Sequence, residues 1–200
     1  LKIVSQVQED EVIAEFLFAE VNSDRFKEGI LHALGDHDLN LLIKPNLNDQ
    51  AENQIRRDIL GQTRGFGRNT DMFENFPTEV KWYKAFFEKQ DLNEVMYINY
   101  SYWNELSSNT RLPLQASKNI MNQIEVFGIS NQGFLDINLA LKNGKVFPRL
   151  IFVSMNENSR VVVLEGHARL TAYHLDNDYI PDELEVIIGF SDEFSVWDLY

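Results

Sequence analysis

The sequence predicts an α+β fold, a small mixed sheet with helices, preceded by a mainly helical N-terminal region. Apolar residues recur at helical spacing through much of the first 130 positions. Three short strand-like runs then follow in the last third: Leu150-Ile151-Phe152-Val153, Val161-Val162-Val163-Leu164, and the apolar stretch 184–189. The 200 residues are 44% hydrophobic and 12% aromatic, enough to build a core and too much for a disordered chain. Two sections are expected: a helix-rich, aromatic-dense region over 1–130, packed on a core formed by 131–200.

The spacing of Ile3, Val7, Val12, Ile13, Phe16 and Leu17 predicts a helix over 3–20. Ser23 and Asp24 are a helix start for the stripe Phe26, Ile30, Leu31 and Leu34, which Gly35 stops. Loop chemistry follows over 36–50 around the apolar run 39–43, and 52–60 again favours helix. The stretch 73–106 holds Phe73, Phe76, Trp82, Tyr83, Phe86, Phe87, Tyr97, Tyr100, Tyr102 and Trp103. Lysines are few there beside the acids, so the aromatics are expected to pack a core rather than stack bases. Within it, 96–99 is expected to form a short strand and 100–106 a helical turn. Pro113 opens a helix expected to reach about Phe127, and a helix through Leu135, Ile137 and Leu141 ends at Asn143-Gly144.

Charge narrows the function classes. Eighteen Lys and Arg against 31 Asp and Glu leave a net charge of −13, a field that repels polyanions and makes DNA an unlikely partner. A small nucleotide is still admissible, because local donors act within a few ångströms while the global field is screened over about 8 Å. Zero cysteines exclude disulfides and thiolate chemistry and fit a reducing compartment. With neither an export signal nor a run of about 18 apolar residues, a cytoplasmic protein without a membrane partner is expected.

The concentrated basic region is Arg56, Arg57 and the glycine-rich stretch 61–69, which carries Arg64 and Arg68. Its backbone could cradle an anion, so Arg64 and Arg68 are an accessory anion site. The plainer reading is a surface turn whose arginines meet neighbouring carboxylates. Neither the phosphate-loop nor the dinucleotide pattern is present. His32, His37 and His174 show no convergent spacing, and no metal site is expected among the side chains.

Chemistry gathers after the second β-branched run. Glu165-Gly166-His167 follows it directly, and Ala168 onward has helical composition. A strand end meeting a helix start presents unpaired backbone N–H groups and a positive helix end to an anion. Arg169 on the first turn adds a possible bidentate grip, His167 can carry a proton near neutral pH, and Glu165 can act as a base or metal ligand. An ordinary helix start with a capping acid has the same appearance.

The stretch 137–153, with its helix stop at Gly144 and strand-opening Pro148, resembles the first box of ParB-like domains. Glu165-Gly-His-Ala-Arg-Leu-Thr-Ala172 resembles their second box, close to an Asp-Gly-His-His-Arg form found in kinase-like members of the ParB/sulfiredoxin superfamily. The likeness covers about 55 residues by motif spacing. It implies a sulfiredoxin-like fold in which Gly144, Pro148, Gly166, His167 and Arg169 contact nucleotide phosphates, with Mg2+ accompanying the nucleotide. Ala168 departs from the kinase-like form, and the missing cysteine removes sulfiredoxin chemistry. Two readings follow: a nucleotide or phosphorylated small molecule bound at 165–169, with phosphoryl transfer or hydrolysis through Glu165 and His167, or a non-enzymatic regulatory domain contacting a protein partner or a second copy. DNA binding or cleavage is a third, opposed by charge.

Overall fold

The computed structural model describes residues 1–200 apart from the side chain of Asn177. In chain order the elements are β1 (Lys2–Val7), α1 (Glu9–Val21), α2 (Lys27–Leu34), α3 (Asn40–Ile43), α4 (Gln50–Arg64), β2 (Lys81–Glu88), α5 (Lys89–Leu92), α6 (Ser101–Leu106), α7 (Pro113–Met121), α8 (Gln132–Lys142), β3 (Leu150–Ser154), β4 (Val162–Glu165), α9 (His167–Leu175) and β5 (Glu183–Phe190), with 3-10 turns between and after them. The fold is mixed α and β, around one five-stranded sheet in the order β1-β2-β5-β3-β4.

The expected hairpin is present, with β3 and β4 antiparallel. β5 runs parallel to β3 and antiparallel to β2, so it joins the C-terminal strands to the N-terminal pair. α9 carries the chain from edge strand β4 past β3 to β5, which places the 165–169 turn at a strand end.

Two strands differ from the sequence reading. Residues 2–7 form an edge strand rather than the start of a helix, because Lys2, Ile3 and Ser5 to Val7 pair with β2 around a bulge at Val4, and Gln8 then breaks the run in an extended conformation. The helix starts only at Glu9, where Glu9, Asp10 and Glu11 suit its positive end. Lys81–Glu88, part of the aromatic stretch, is a central strand that buries Trp82, Ala85 and Phe87. The strand expected at 96–99 reduces to a bridge in which Met96 exchanges two 2.8 Å hydrogen bonds with Val161 and Val163. The helix from Pro113 stops at Met121, before a bridge between Val126 and Ile129.

The aromatic stretch packs as core. Phe73, Trp82, Phe87, Tyr97 and Trp103 are all buried, and Phe73 meets Phe16, Phe66 and Phe76. α4 runs four residues beyond the expected end before Gly65 closes it in the left-handed region, φ 86°. A Cβ there would strike the Thr70 carbonyl, so glycine is required. Arg56 is fully buried, donating to the carbonyls of Leu41 and Asn46, and Arg57 pairs with Glu9 and Asp10. No helix is long and apolar enough to cross a membrane among the described residues.

Candidate functional site at the strand-to-helix turn

β4 delivers Glu165 to a turn that only glycine can make. Gly166 sits at φ 101°, and a Cβ there would collide with the Leu150 side chain and lie 3.2 Å from an Arg169 nitrogen. α9 begins at His167 with no side chain capping it, which leaves its first-turn amides without a side-chain acceptor. The helix is anchored from behind, where the Tyr97 hydroxyl and Thr171 Oγ1 lie 2.6 Å apart.

Arg169, 7% exposed, does not point outward. Its Nη1 donates to the carbonyls of Pro148 and Arg149, and its Nη2 donates to Glu165. The clamp ties the β4 end to the β3 entry, and Pro148 takes part through its carbonyl. Gly144 ends α8 at φ 79°, with its N–H donated to Leu141 O over 2.9 Å, and it is exposed. Its place in the structure is that of a helix stop.

The titratable groups of the turn are perturbed in opposite senses. Burial raises the Glu165 carboxyl above its ordinary value, against the opposing charges of Arg169 and then Arg64. Burial lowers the His167 imidazole to about 3, helped by the positive charges of Arg64, Arg169 and Arg25. Its ring stacks on Trp103 at 5.0 Å and 16°, and its covered Nε2 has no hydrogen-bond partner. His167 is thus neutral near pH 7 and is not a ready proton donor there.

Arg64 and Arg25 come from the other half of the chain, and sequence reasoning singled out only the first. Arg64 lies with its Nε 3.2 Å from Glu20 Oε1 and its Cζ 4.5 Å from the Phe26 ring centre. Arg25 faces the same ring at 5.0 Å. Glu20, Arg25, Phe26, Gly29, Arg64 and neighbouring residues line a cavity of about 360 Å³ between α1, α2 and α4. Arg68 stays on the exposed loop with its side chain against Gly61, whereas the charge of Arg64 acts on both Glu165 and His167. Glu20 was missed, although a signal existed: with Ile13, Phe16 and Leu17 it falls on the apolar stripe of α1, where an acid must be buried.

Among the described residues no group of three or more His, Asp or Glu could hold a metal ion. Glu20 and Glu165 each face an arginine, a donor set that suits an anion better than a divalent cation. The fold and the turn define a mixed α and β protein with a glycine-formed strand-to-helix site. The chain matches no protein-family model, and no curated protein or solved structure matches it.

Proposed function

We propose that the chain binds a nucleotide or another phosphorylated small molecule beside the Glu165–Arg169 turn. The observation that carries this reading is the convergence of Arg64, from the end of α4, on the acid and histidine of the turn, whose charges it perturbs. The turn offers an uncapped helix start, and the cavity between α1, α2 and α4, whose lining includes Arg64, offers a guanidinium and space of the kind a phosphate group requires. Arg169 serves as a positioning residue that holds Glu165. Burial is the first cause of the lowered His167 basicity, so an anion that offsets Arg64 and Arg25 relieves only part of it, and proton handling for phosphoryl transfer or hydrolysis falls first to Glu165.

A thermal unfolding scan with ATP, ADP, CTP and GTP, with and without Mg2+, tests the reading. Ligand at about 100 times its dissociation constant adds roughly 2.7 kcal/mol, which in a chain this size raises the midpoint by about 5 to 10 °C. A rise with one nucleotide that Arg64→Ala abolishes supports the site. No rise with any of them overturns the nucleotide reading.

A second reading, a regulatory or interaction module with the turn as scaffold, is favoured by the internal engagement of the Arg169 clamp. It predicts a chain insensitive to every nucleotide whose apparent mass grows with concentration in analytical ultracentrifugation.

A further inference from the structure

The cavity between α1, α2 and α4 differs from the Glu165–Arg169 pair in that its own acid and arginine are incompletely paired. Glu20 is 2% exposed, and its Oε2 is covered without a hydrogen-bond partner. Its other oxygen meets Arg64 Nε at 3.2 Å, an ion pair whose geometry leaves that N–H without a good hydrogen bond. An Arg64 Nη2 is spent on Met72 Sδ at 3.2 Å, a weak acceptor for a guanidinium. Arg25 and Arg64 both lie against the Phe26 ring, and Gly29 on the cavity wall has nothing within 4 Å of where a Cβ would stand. Two cations, a covered acid and free space are therefore juxtaposed.

We infer that this cavity is an oxyanion site, for a sulfate or phosphomonoester group, in which Arg25 and Arg64 hold the anion while Glu20 takes up one proton. The inference rests on the phosphate-binding reading above and names the cavity and the acid that would serve it. Bringing a dianion to an ionised, buried carboxylate places like charges together, and the repulsion is relieved when Glu20 binds H⁺ from solvent to become the neutral acid. The added proton gives Oε2 a donor for the anion, while Arg64 turns its N–H groups from Glu20 to the same oxygens. No bond other than O–H forms. Burial already holds the Glu20 carboxyl up at about 7, with Arg64 opposing and Glu165 reinforcing the shift, so uptake occurs near neutral pH. The other charged or titratable groups about the cavity and Glu20 are Arg25, His32 on α2, Arg64, Glu165 and His167.

Isothermal titration calorimetry with inorganic sulfate, which stays a dianion across the range, separates proton uptake from titration of the ligand. In the wild type, sulfate affinity is expected to fall about tenfold per pH unit above pH ~7, and heats in buffers of different ionisation enthalpy are expected to report uptake approaching one proton. In Glu20→Gln, a near-isosteric change, sulfate still binds but the pH slope and the uptake are gone. Arg25→Gln, at an exposed side chain that the fold tolerates, is expected to weaken sulfate at least threefold. Equal slopes in wild type and Glu20→Gln overturn the inference, as does the absence of sulfate binding to wild type. The two readings fail separately. A nucleotide-induced stabilisation without sulfate-linked proton uptake removes this inference alone, whereas proton-linked sulfate binding without any nucleotide response removes the nucleotide reading and keeps the oxyanion site.

Discussion

Two arginine–glutamate pairs, Arg169 with Glu165 and Arg64 with Glu20, are finished to different degrees. At the turn, Arg169 serves Glu165 and two backbone carbonyls, and both side chains are largely enclosed. Across from it, Arg64 meets Glu20 in a loose ion pair, a thioether and a ring face, and Glu20 keeps one oxygen without a partner. A completed buried pair holds backbone segments together. An incomplete one retains hydrogen-bonding capacity that a ligand can use. The motif most visible in the sequence therefore holds the more fully paired of the two acids, and the less visible N-terminal half holds the acid with an unpaired oxygen.

The largest expected effect tests the finished pair. Arg169→Ala leaves an enclosed carboxyl and two carbonyls unpaired and is expected to cost about 3 to 5 kcal/mol, whereas Arg64→Ala removes only a loose ion pair from Glu20, which can take up a proton near pH 7, and is expected to cost about 1 to 2 kcal/mol. Urea unfolding of both variants reads the difference. Equal costs would erase the distinction between a scaffold pair and a ligand-ready pair.

Glycines sharpen the same contrast. Gly166→Ala meets both an unfavourable φ and a collision with Leu150, so a loss of about 2 to 3 kcal/mol is expected. Gly144→Ala, at φ 79° in open space, carries the backbone strain alone and is expected to lose about 1 kcal/mol. If Gly144 instead gave the larger loss in thermal unfolding, the first box would be more than a helix stop.

Acidity separates the two sides by sign. Between pH 4.5 and about 7 the folded chain retains a proton at Glu20 that the unfolded chain has lost, so this group makes stability fall as pH rises. Above that window the cost is fully present, about 3 kcal/mol at most, and Glu20→Gln should be more stable than wild type at pH 8 yet level with it near pH 4.5. His167 acts oppositely: its lowered pKa contributes stability that is complete above pH 6.5 and is lost as pH falls toward 3. Denaturation midpoints across pH for wild type, Glu20→Gln and His167→Gln check both slopes. A Glu20→Gln curve parallel to wild type would place the carboxyl in a more solvated setting.

Legibility followed the range of the determining interactions. The β3–β4 hairpin, the Gly166 turn and β5 were readable because β-branched runs and turn residues are local signals. β1 was read as helix because Ile3 and Val7 satisfy a helical spacing as well as an edge strand that buries only Val7. β2 was lost among aromatics because its burial at Trp82, Ala85 and Phe87 departs from alternation, and its pairing with β5 is made only in the fold. At the site, Glu165, Gly166, His167 and Arg169 stand in one short segment, and their sequence order alone suggested a cluster. The outward grip expected of Arg169 was not legible, since its acceptors at Pro148 and Arg149 become neighbours only when β3 lies beside β4. Arg25 escaped for the same reason, as its meaning depends on where α4 ends, whereas the burial of Glu20 was legible from its place on the α1 stripe and only its partner was not.

The smallest stability effect bears most directly on the contrast. Arg25 is exposed and its guanidinium lies over Phe26 without a salt bridge, so Arg25→Gln should change unfolding free energy by no more than about 0.5 kcal/mol. Its charge still reaches inward, because Glu20, Tyr102 and His167 are all stabilised or destabilised by it. Removing it should leave the fold intact, weaken sulfate or nucleotide binding at least threefold, and shift the His167 imidazole resonance midpoint upward in an NMR titration, as one of the three cations that depress it is lost. A residue that matters for binding but not for stability is what an unfinished site requires of its rim. Unchanged affinity would confine the anion to Arg64 and the α9 helix start, and would move the working site back toward the turn.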